Sequence, residues 1–317
     1  MRQVEVQSLV YPHDLKRENL PDTVAAIGFF DGVHKGHQAV IEQAMNIASQ
    51  SKKESAVITF DPHPSVVLQK QIEQVRYITP IDDKIKKMEA SGVDRLYIIR
   101  FDQSLAKLTP KQFIDHFIVN LHISHLVAGF DFTFGHKGSG NMENIHEFTG
   151  NELEITTISR LDYQDDKISS TRIRHELKQG NMERAEILLG RPYSLTGEVI
   201  HGDKRGRTIG YPTANIKIED YYFLPRIGVY AVEVEVGDKH YYGMANLGYN
   251  PTFTDDRENT KLEVHIFDFD ENIYGEQIVV YWKKFIRDEE KFSGIDELVE
   301  KLRDDEEQSR EFFAINE

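Results

Sequence analysis

The sequence predicts two domains: an N-terminal α/β domain with a doubly wound parallel sheet, then a small antiparallel β-barrel with a C-terminal helix. A length of 317 residues suits two domains of about 150 residues each. Up to about residue 158, β-rich runs alternate with helical patterns, whereas from Leu195 onward strand follows strand. The change comes near a helical stretch closed by Gly190 and Pro192, and we expect domains over 1–184 and 185–317.

Five short β-rich runs supply the parallel sheet of the first domain. They are Val24–Phe30, Ala56–Phe60, Arg95–Phe101, His125–Gly129 and Leu153–Ile158. After the first of them, apolar residues recur at helical spacing and predict an amphipathic crossover helix over Gly36–Ser49. Thr79 and Thr109 each precede a proline, which is typical of a helix N-cap followed by proline at the first helical position. Gln112 completes a capping box with Thr109.

The second domain is predicted from a series of strands with short connections. The predicted strands are Gly228–Val236, Tyr241–Leu247, Leu262–Asp268 and Gln277–Phe285, with a hairpin turn at Gly237–Asp238. Near the C-terminus, the apolar positions Ile295, Leu298, Val299 and Leu302 form a helical stripe that we expect to pack on the barrel. The acidic run Asp304–Glu307 is interpreted as a solvated face or a fraying helix end.

Composition excludes several classes of protein. Hydrophobic residues make up 39% and charged residues 29%, a globular balance. No apolar run approaches the roughly 18 residues that cross a bilayer, and no signal-peptide pattern opens the chain, so we expect a cytoplasmic protein. The absence of cysteine excludes disulfides and Cys-ligated zinc. A net charge of −15 argues against nucleic acid. The expected partners are small molecules, with neither nucleic acid nor membrane, and the sequence does not specify an oligomeric state.

One candidate site lies where the first predicted strand enters its helix. The turn reads GFFDGVHKGH, and His34 and His37 stand three residues apart at the start of the helix. A helix N-terminus binds anions, and Gly36 leaves room for a phosphate. The later segment ISSTRIR adds hydroxyls and a fixed positive charge at a second helix start. The other residues predicted to contribute to nucleotide binding at this site are Gly28, Asp31, Asp131, Phe134, Ser170, Thr171 and Arg174.

The histidine pair together with ISSTRIR resembles the HxGH nucleotidyltransferase superfamily, whose members transfer a nucleotide onto a phosphate or carboxylate. The resemblance implies that His34, His37, Ser170, Thr171 and Arg174 stabilise the charge that develops during adenylyl transfer. A phosphate acceptor is already largely anionic at pH 7, so the reaction needs no general base.

A second candidate site opens the C-terminal domain, in Gly197–Asn215. It contains no Walker A loop, but its glycines and basic residues suit a loop that wraps an anion. The candidates for holding the nucleotide phosphates are Gly202, Lys204, Gly206 and Arg207. Thr213 and Asn215 alternate on the following strand and offer neutral oxygen ligands suited to Mg²⁺.

The run GYPTAN at the end of this segment resembles the riboflavin kinase signature, and the stretches GVY, GMANLG and LEVHIFD follow in the order typical of that family. With the first site, nearly the whole chain resembles the prokaryotic bifunctional riboflavin kinase and FAD synthetase family. The resemblance implies phosphorylation of riboflavin to FMN and adenylylation of FMN to FAD, with ATP and Mg²⁺. It also implies that Glu263 is the kinase base, on the strand face opposite Leu262, Val264 and Ile266. Some relatives carry Asn where this chain has Asp131.

Two alternatives stay open at this point. A class I aminoacyl-tRNA synthetase relative would also carry HxGH, but it predicts a KMSKS-type loop and a basic tRNA surface, and the sequence has neither. A flavin- or nucleotide-binding sensor would retain the folds without turnover. Retention of both histidines, Arg174, PTAN and Glu263 argues against it.

Overall fold

The computed structural model describes residues 3–68, 75–150, 153–202, 205–219, 221–249 and 260–316. The chain divides into two compact units, Met1–Ser170 and Thr171–Glu317. The helical stretch before Gly190 therefore groups with the second unit, whereas the boundary between residues 184 and 185 remains a prediction from the sequence.

The first unit contains ten strands and five α-helices among the described residues. The strands are β1 (Glu5–Leu9), β2 (Thr23–Ile27), β3 (Glu54–Asp61), β4 (Arg95–Arg100), β5 (Ile123–Gly129), β6 (Thr133–Phe134), β7 (Gly140–Asn141), β8 (Glu154–Ile158), β9 (Asp162–Tyr163) and β10 (Asp166–Lys167). The helices are α1 (Lys35–Ser51), α2 (Pro64–Leu68), α3 (Ile81–Ser91), α4 (Pro110–Ile114) and α5 (His146–Thr149). Single helical turns lie at Arg17–Asn19, Leu105–Lys107, Asp115–Val119 and His136–Gly138.

A six-stranded parallel sheet in the order β1-β4-β3-β2-β5-β8 forms the centre of this unit. Successive residues of β2 alternate between two hydrophobic cores, with Ala25 and Ile27 on one face and Val24 and Ala26 on the other. The chain continues from β2 to β3 on one side and returns to β5 on the other, so the strand order reverses at β2. In open α/β sheets, ligands bind at the carboxyl edge beside such a reversal. The predicted doubly wound sheet is confirmed.

In this unit one strand was not predicted, one local prediction is wrong and another is confirmed. The sequence reading missed β1, an edge strand whose exposed face lacks an apolar alternation. Thr79 is not a helix cap, because α3 begins at Ile81 with Pro80 as its N-cap. By contrast, the capping box between Thr109 and Gln112 is present at the start of α4.

The second unit is a closed antiparallel barrel of six strands with helices before and after it. Its elements are α6 (Ser170–Gln179), α7 (Met182–Leu189), β11 (Tyr193–Ile200), α8 (Arg205–Thr208), β12 (Ala214–Lys217), β13 (Gly228–Val236), β14 (Lys239–Tyr249), β15 (Thr260–Ile266), β16 (Gln277–Arg287) and α9 (Ile295–Asn316). The barrel closes in the order β11-β12-β15-β14-β13-β16. Trp282 and Tyr230 meet edge to face in its core at 4.7 Å between ring centroids. The predicted barrel with a C-terminal helix is confirmed.

The C-terminal helix differs from the prediction at both ends of its apolar stripe. Ile295 is 65% exposed, and α9 continues through the acidic run to Asn316. Asp305 within that run is completely buried rather than solvated. The Arg287 guanidinium at the end of β16 donates to both of its carboxylate oxygens, at 2.8 and 2.7 Å. The pairing with Arg287 explains why a carboxylate is buried in this helix.

The Arg287–Asp305 pair gives a stability prediction. Asp305→Asn should lower the free energy of unfolding of the barrel by about 3–5 kcal/mol, because the Arg287 charge loses its buried partner. Trp282 is the single tryptophan of the chain and lies in the barrel core, so its fluorescence during urea denaturation measures this unit. The double variant Arg287→Met, Asp305→Leu should regain most of the loss. An unchanged midpoint in Asp305→Asn would contradict the structural role of the pair.

Among the helices described in the structure, none is both long and apolar enough to span a bilayer.

Candidate active sites

A tight turn joins β2 to α1 at the carboxyl edge of the parallel sheet. Phe30, Gly32 and Val33 adopt positive φ angles of 51°, 89° and 41°. This conformation is uncommon for residues other than glycine, and such strain concentrates at functional turns. The backbone N–H of Gly28 donates to the carbonyl of Ile58 in the neighbouring strand at 3.1 Å. The turn thus holds the N-terminus of α1 at the sheet edge where strand order reverses.

His34 and His37 lie together at the N-terminus of α1. His34 is the N-cap, and its Nδ1 accepts a hydrogen bond from the backbone N–H of His37 at 3.3 Å. The two rings stack with centroids 3.5 Å apart. A Cβ at Gly36 would lie 3.2 Å from the His34 ring, so the glycine makes room for this ring. The structure therefore brings together three predicted residues of the first site.

Burial holds the pKa of His37 well below its usual value, with the charges of His34, Lys84 and Lys167 acting in the same direction. Its Nδ1 is buried and has no hydrogen-bond partner among the described residues. His37 is therefore a neutral imidazole at pH 7, suited to donating or accepting one hydrogen bond rather than to supplying a charge.

Asp31 and Ser170 extend this site within the first unit. The Asp31 carboxylate is buried, and its Oδ1 accepts from the backbone N–H groups of Ile78 and Thr79 at 3.0 and 3.1 Å. The Ser170 hydroxyl donates to the Asp31 carbonyl at 2.8 Å. Asp31 thus connects the turn to the segment before α3, and Ser170 joins the start of ISSTRIR to the same turn.

Thr171 and Arg174 belong to the second unit, in α6. There the Arg174 guanidinium lies over the Phe223 ring at 5.8 Å. Their roles in adenylyl transfer remain predictions from the sequence.

The segment after β5 contains Asp131 and Phe134. Asp131 forms an ion pair with Lys167, whose ammonium also lies 4.8 Å from the centroid of the Phe130 ring. Phe134 is 5% exposed and packs in the core of the first unit against Phe132 and other rings. This packing gives Phe134 a structural role, and nucleotide contacts of Asp131 and Phe134 remain predictions.

The barrel unit carries a cavity of about 650 Å³ between its outer surface and α9. Its lining includes Thr213, Asn246, Lys261, Glu263 and His265 from the barrel and Phe292, Leu298 and Leu302 from the C-terminal segment. A cavity of this size accommodates a small molecule, and its mixed polar and apolar lining suits a ligand with an aromatic ring and a polar chain.

Glu263 lies on the cavity side of β15, as the strand alternation predicts. Leu262, Val264 and Ile266 point the other way and are buried. Register places Glu263 opposite Asn215 on β12 and opposite Asn246 on β14. Its carboxylate forms an ion pair with Lys261 at 2.7 Å and is 30% exposed. A carboxylate in this position can reach a ligand hydroxyl in the cavity.

The glycines of the basic loop have close-packing reasons of their own. A Cβ at Gly202 would lie 2.2 Å from the Asn215 amide nitrogen, and one at Gly206 would lie 2.1 Å from the Tyr211 carbonyl oxygen. Arg207 is exposed on α8. Lys204 lies outside the described residues. Phosphate contacts of this loop remain a prediction, whereas the need for glycine at the two positions follows from packing.

The comparisons with known proteins match both units. A family model described as FAD synthetase matches residues 16–172, and one described as riboflavin kinase matches residues 189–313. A bifunctional riboflavin kinase/FMN adenylyltransferase from Listeria monocytogenes is 49% identical over 92% of this chain and 92% of its own. The chain belongs to this bifunctional family. The corresponding Bacillus subtilis protein is 46% identical and covers 96% of this chain and 97% of its own. The family resemblance drawn from the motifs is confirmed.

The same architecture occurs in a solved structure. The crystal structure of a macrolide-efflux protein from Streptococcus pneumoniae has a TM-score of 0.87 at 35% identity and covers 97% of this chain and 99% of its own. This member of the riboflavin kinase/FMN adenylyltransferase family therefore shares its fold with that protein over nearly the whole length of both chains.

The side-chain oxygen of Asn215 on the barrel has the chemistry that a Mg²⁺ ligand requires. The Asn215 Oδ1 is buried and has no hydrogen-bond partner among the described residues. An amide oxygen is a hard neutral ligand, and an unpartnered one is consistent with a cation site. Thr213, two residues earlier in the sequence, is one of the residues that line the cavity. No group of three or more His, Asp or Glu side chains that could hold a metal ion occurs in the described part of the chain.

Sequence reasoning missed three residues of the two sites. Lys84 on α3 is buried beside the β2–α1 turn. In the sequence it stands in the apolar stripe of its helix with Ile81, Ile85 and Met88, and this position indicates a buried lysine. Lys261 pairs with Glu263, and only the i, i+2 spacing on β15 hinted at it. The His265 Nδ1–H donates to the Pro212 carbonyl at 2.7 Å and so fixes the turn before Thr213.

Proposed function

We propose that this chain catalyses two successive reactions at separate sites. The barrel unit transfers the γ-phosphoryl group of ATP to the ribityl hydroxyl of riboflavin, giving FMN and ADP. The N-terminal unit transfers AMP from a second ATP to FMN, giving FAD and pyrophosphate. The observation that carries the proposal is the pairing of a stacked His34–His37 site in one unit with Glu263 facing a cavity in the other. Both family models support it.

In the kinase reaction, Glu263 accepts the proton of the ribityl hydroxyl, which is not ionised at neutral pH. Thr213 and Asn215 would hold Mg²⁺, which would neutralise charge on the nucleotide phosphates. Gly202, Lys204, Gly206 and Arg207 hold those phosphates. The position of Glu263 on the cavity wall supports its role, because a base must reach the proton that it removes.

In the adenylyl transfer, the FMN phosphate attacks the α-phosphorus of ATP without a general base. His34, His37, Ser170, Thr171 and Arg174 stabilise negative charge on the bridging and leaving oxygens. Gly28 and Gly36 belong to the turn proposed to bind the phosphates, where they make room for the Phe30 and His34 rings. Asp31 and Asp131 orient the nucleotide-binding segments. The N-terminus of α1 adds its positive dipole end.

The proposed setting is the cytoplasm, with riboflavin, FMN and ATP as small-molecule partners and without nucleic acid or membrane. The net charge of −15 supports it, since polyanions and anionic lipid surfaces repel such a protein.

Incubation of the purified chain with riboflavin, ATP and Mg²⁺ tests both reactions. Chromatography should show FMN first and FAD afterwards, with one ADP and one pyrophosphate released for each FAD formed. A sensor that only binds flavin would give a fluorescence change on riboflavin binding but no new flavin species. Absence of both products from a folded protein would reject the proposal.

A pair of fragments tests where the kinase unit begins. Fragment 171–317 should phosphorylate riboflavin, because it retains the barrel and nearly all of α6. It should form no FAD, because it lacks His34 and His37. In α6 the Leu177 carbonyl accepts from the Arg226 backbone N–H at 2.9 Å, and Gly180 at its end packs against Phe285. Fragment 185–317 lacks these contacts and should unfold at a lower temperature than fragment 171–317. The fluorescence of Trp282 measures the unfolding of both. Equal stability of the two fragments would favour the boundary at 184 and 185.

A further inference from the structure

Lys84 is a buried ammonium group that neither proposed reaction uses. It is 2% exposed, and its Nζ donates to the Phe29 carbonyl at 2.8 Å and to the Thr59 hydroxyl at 3.2 Å. The Thr59 hydroxyl donates to the same carbonyl at 3.0 Å. Phe29 belongs to the turn that leads from β2 to His34. The ammonium therefore lies directly behind the adenylyl-transfer turn.

The charge of Lys84 is not balanced by a hydrogen-bonded carboxylate. Both of its hydrogen-bond partners among the described residues are neutral. The groups that face it from neighbouring elements are Asp31 on the turn, Asp61 at the end of β3 and His37 on α1. Burial lowers the pKa of Lys84 to about 8, while Asp31 and Asp61 act in the opposite direction. The two carboxylates offset part of the cost of burying this ammonium, but its hydrogen bonds go to the Phe29 carbonyl and the Thr59 hydroxyl, so it is held against the turn.

We propose that Lys84 is a positioning residue for the nucleotide phosphates of the adenylyl-transfer site. Its ammonium holds the Phe29 carbonyl, and thereby the turn, and supplies positive charge behind the N-terminus of α1. The ligand proposed to act on this charge is the polyphosphate of ATP. The inference rests on the proposed adenylyl transfer.

Proton uptake on nucleotide binding distinguishes this role from a structural one. An anion near Lys84 raises its pKa from about 8, so binding near pH 8 adds a proton to the fraction of Lys84 that is a neutral amine. Mg²⁺ and α,β-methylene-ATP, without flavin, serve as the probe in calorimetry across buffers of different ionisation enthalpy. The parent protein should take up as much as about half a proton more than Lys84→Met. The barrel nucleotide site is unchanged in both proteins, so its contribution cancels.

Lys86→Met is the matched control, because Lys86 lies on the same helix with its side chain 66% exposed. Its proton uptake should equal that of the parent. Uptake that persists in Lys84→Met would overturn the proposal. So would a loss of uptake in Lys86→Met as large as the loss in Lys84→Met.

Kinetics supply the second measurement. In Lys84→Met, kcat/KM for ATP in FAD formation from supplied FMN should fall about 10- to 100-fold, the worth of one charge-assisted contact. Riboflavin phosphorylation by the same preparation should stay within about twofold and so reports an intact barrel unit. FAD formation unchanged in Lys84→Met would overturn the role of Lys84 alone. Failure of the parent to form FAD would instead reject the proposed adenylyl transfer.

Discussion

Replacement of Glu263 by glutamine should slow riboflavin phosphorylation by about 10²- to 10⁴-fold, the range typical of a positioned general base. The amide keeps the shape of the side chain at the cavity wall but cannot accept a proton. FMN supplied from outside should still be adenylylated at the parent rate, because its phosphate is already anionic. Initial rates of FMN and FAD formation, followed separately by chromatography, measure the two effects.

The matched control for this substitution is Glu271→Gln, at an exposed glutamate of the same unit that pairs with Lys239 outside the cavity. It should leave both rates unchanged. Phosphoryl transfer proceeds through a loose transition state with late deprotonation in many enzymes, so a loss well below 10²-fold would make Glu263 an orienting group. Kinase turnover within about twofold of the parent, with Trp282 fluorescence intact, would remove Glu263 from the mechanism.

His34→Ala should suppress FAD formation by about 10²- to 10³-fold, the typical effect of removing one donor that stabilises developing charge. FMN formation should change little, since groups without shared partners contribute additively. The measurement is FAD formation from supplied FMN and ATP. Arg174→Ala is expected to act in the same direction.

His34 also caps α1, so its loss carries a structural cost of about 0.5–2 kcal/mol. His34→Asn separates the two roles, because the Asn side-chain oxygen can accept from the His37 backbone N–H while the imidazole is gone. The Asn variant should be as stable as the parent and as poor in FAD formation as the Ala variant. Recovery of FAD formation in His34→Asn would show that the cap, and not the ring, matters.

The fold could be predicted for those helices and strands in which burial of one or both faces imposes a regular spacing of hydrophobic residues. The central strands and the barrel strands carry such periods, and the hairpin at Gly237 has a positive φ that favours glycine. The edge strand β1 was missed because an edge strand is mostly exposed and needs no such pattern. Asp305 was assigned to solvent because its burial depends on Arg287, 18 positions earlier in the chain.

The candidate sites divide along the same line. His34 and His37 share one helix turn, so local spacing was enough to place them, whereas Glu263 was identified through the family resemblance and strand alternation gave only the face on which it stands. Lys84 and Lys167 come to the first site from other elements, and only the folded sheet determines what they contact. Two of the missed residues, Lys84 and Lys261, share one property, since each is a cation beside a site that was identified from its other residues.

Glu263 lies on a central strand of a closed barrel, so the barrel unit should tolerate insertions and deletions near its site less well than the N-terminal unit does. β15 is hydrogen-bonded to β12 on one side and to β14 on the other, and the barrel has no free edge. Adding or deleting one residue within β15 would exchange Glu263 with Leu262 or Val264 and move apolar side chains outward. Two ladders oppose that slip. His34, by contrast, stands on a turn at the edge of an open sheet, where changes of length in neighbouring loops leave strand register untouched.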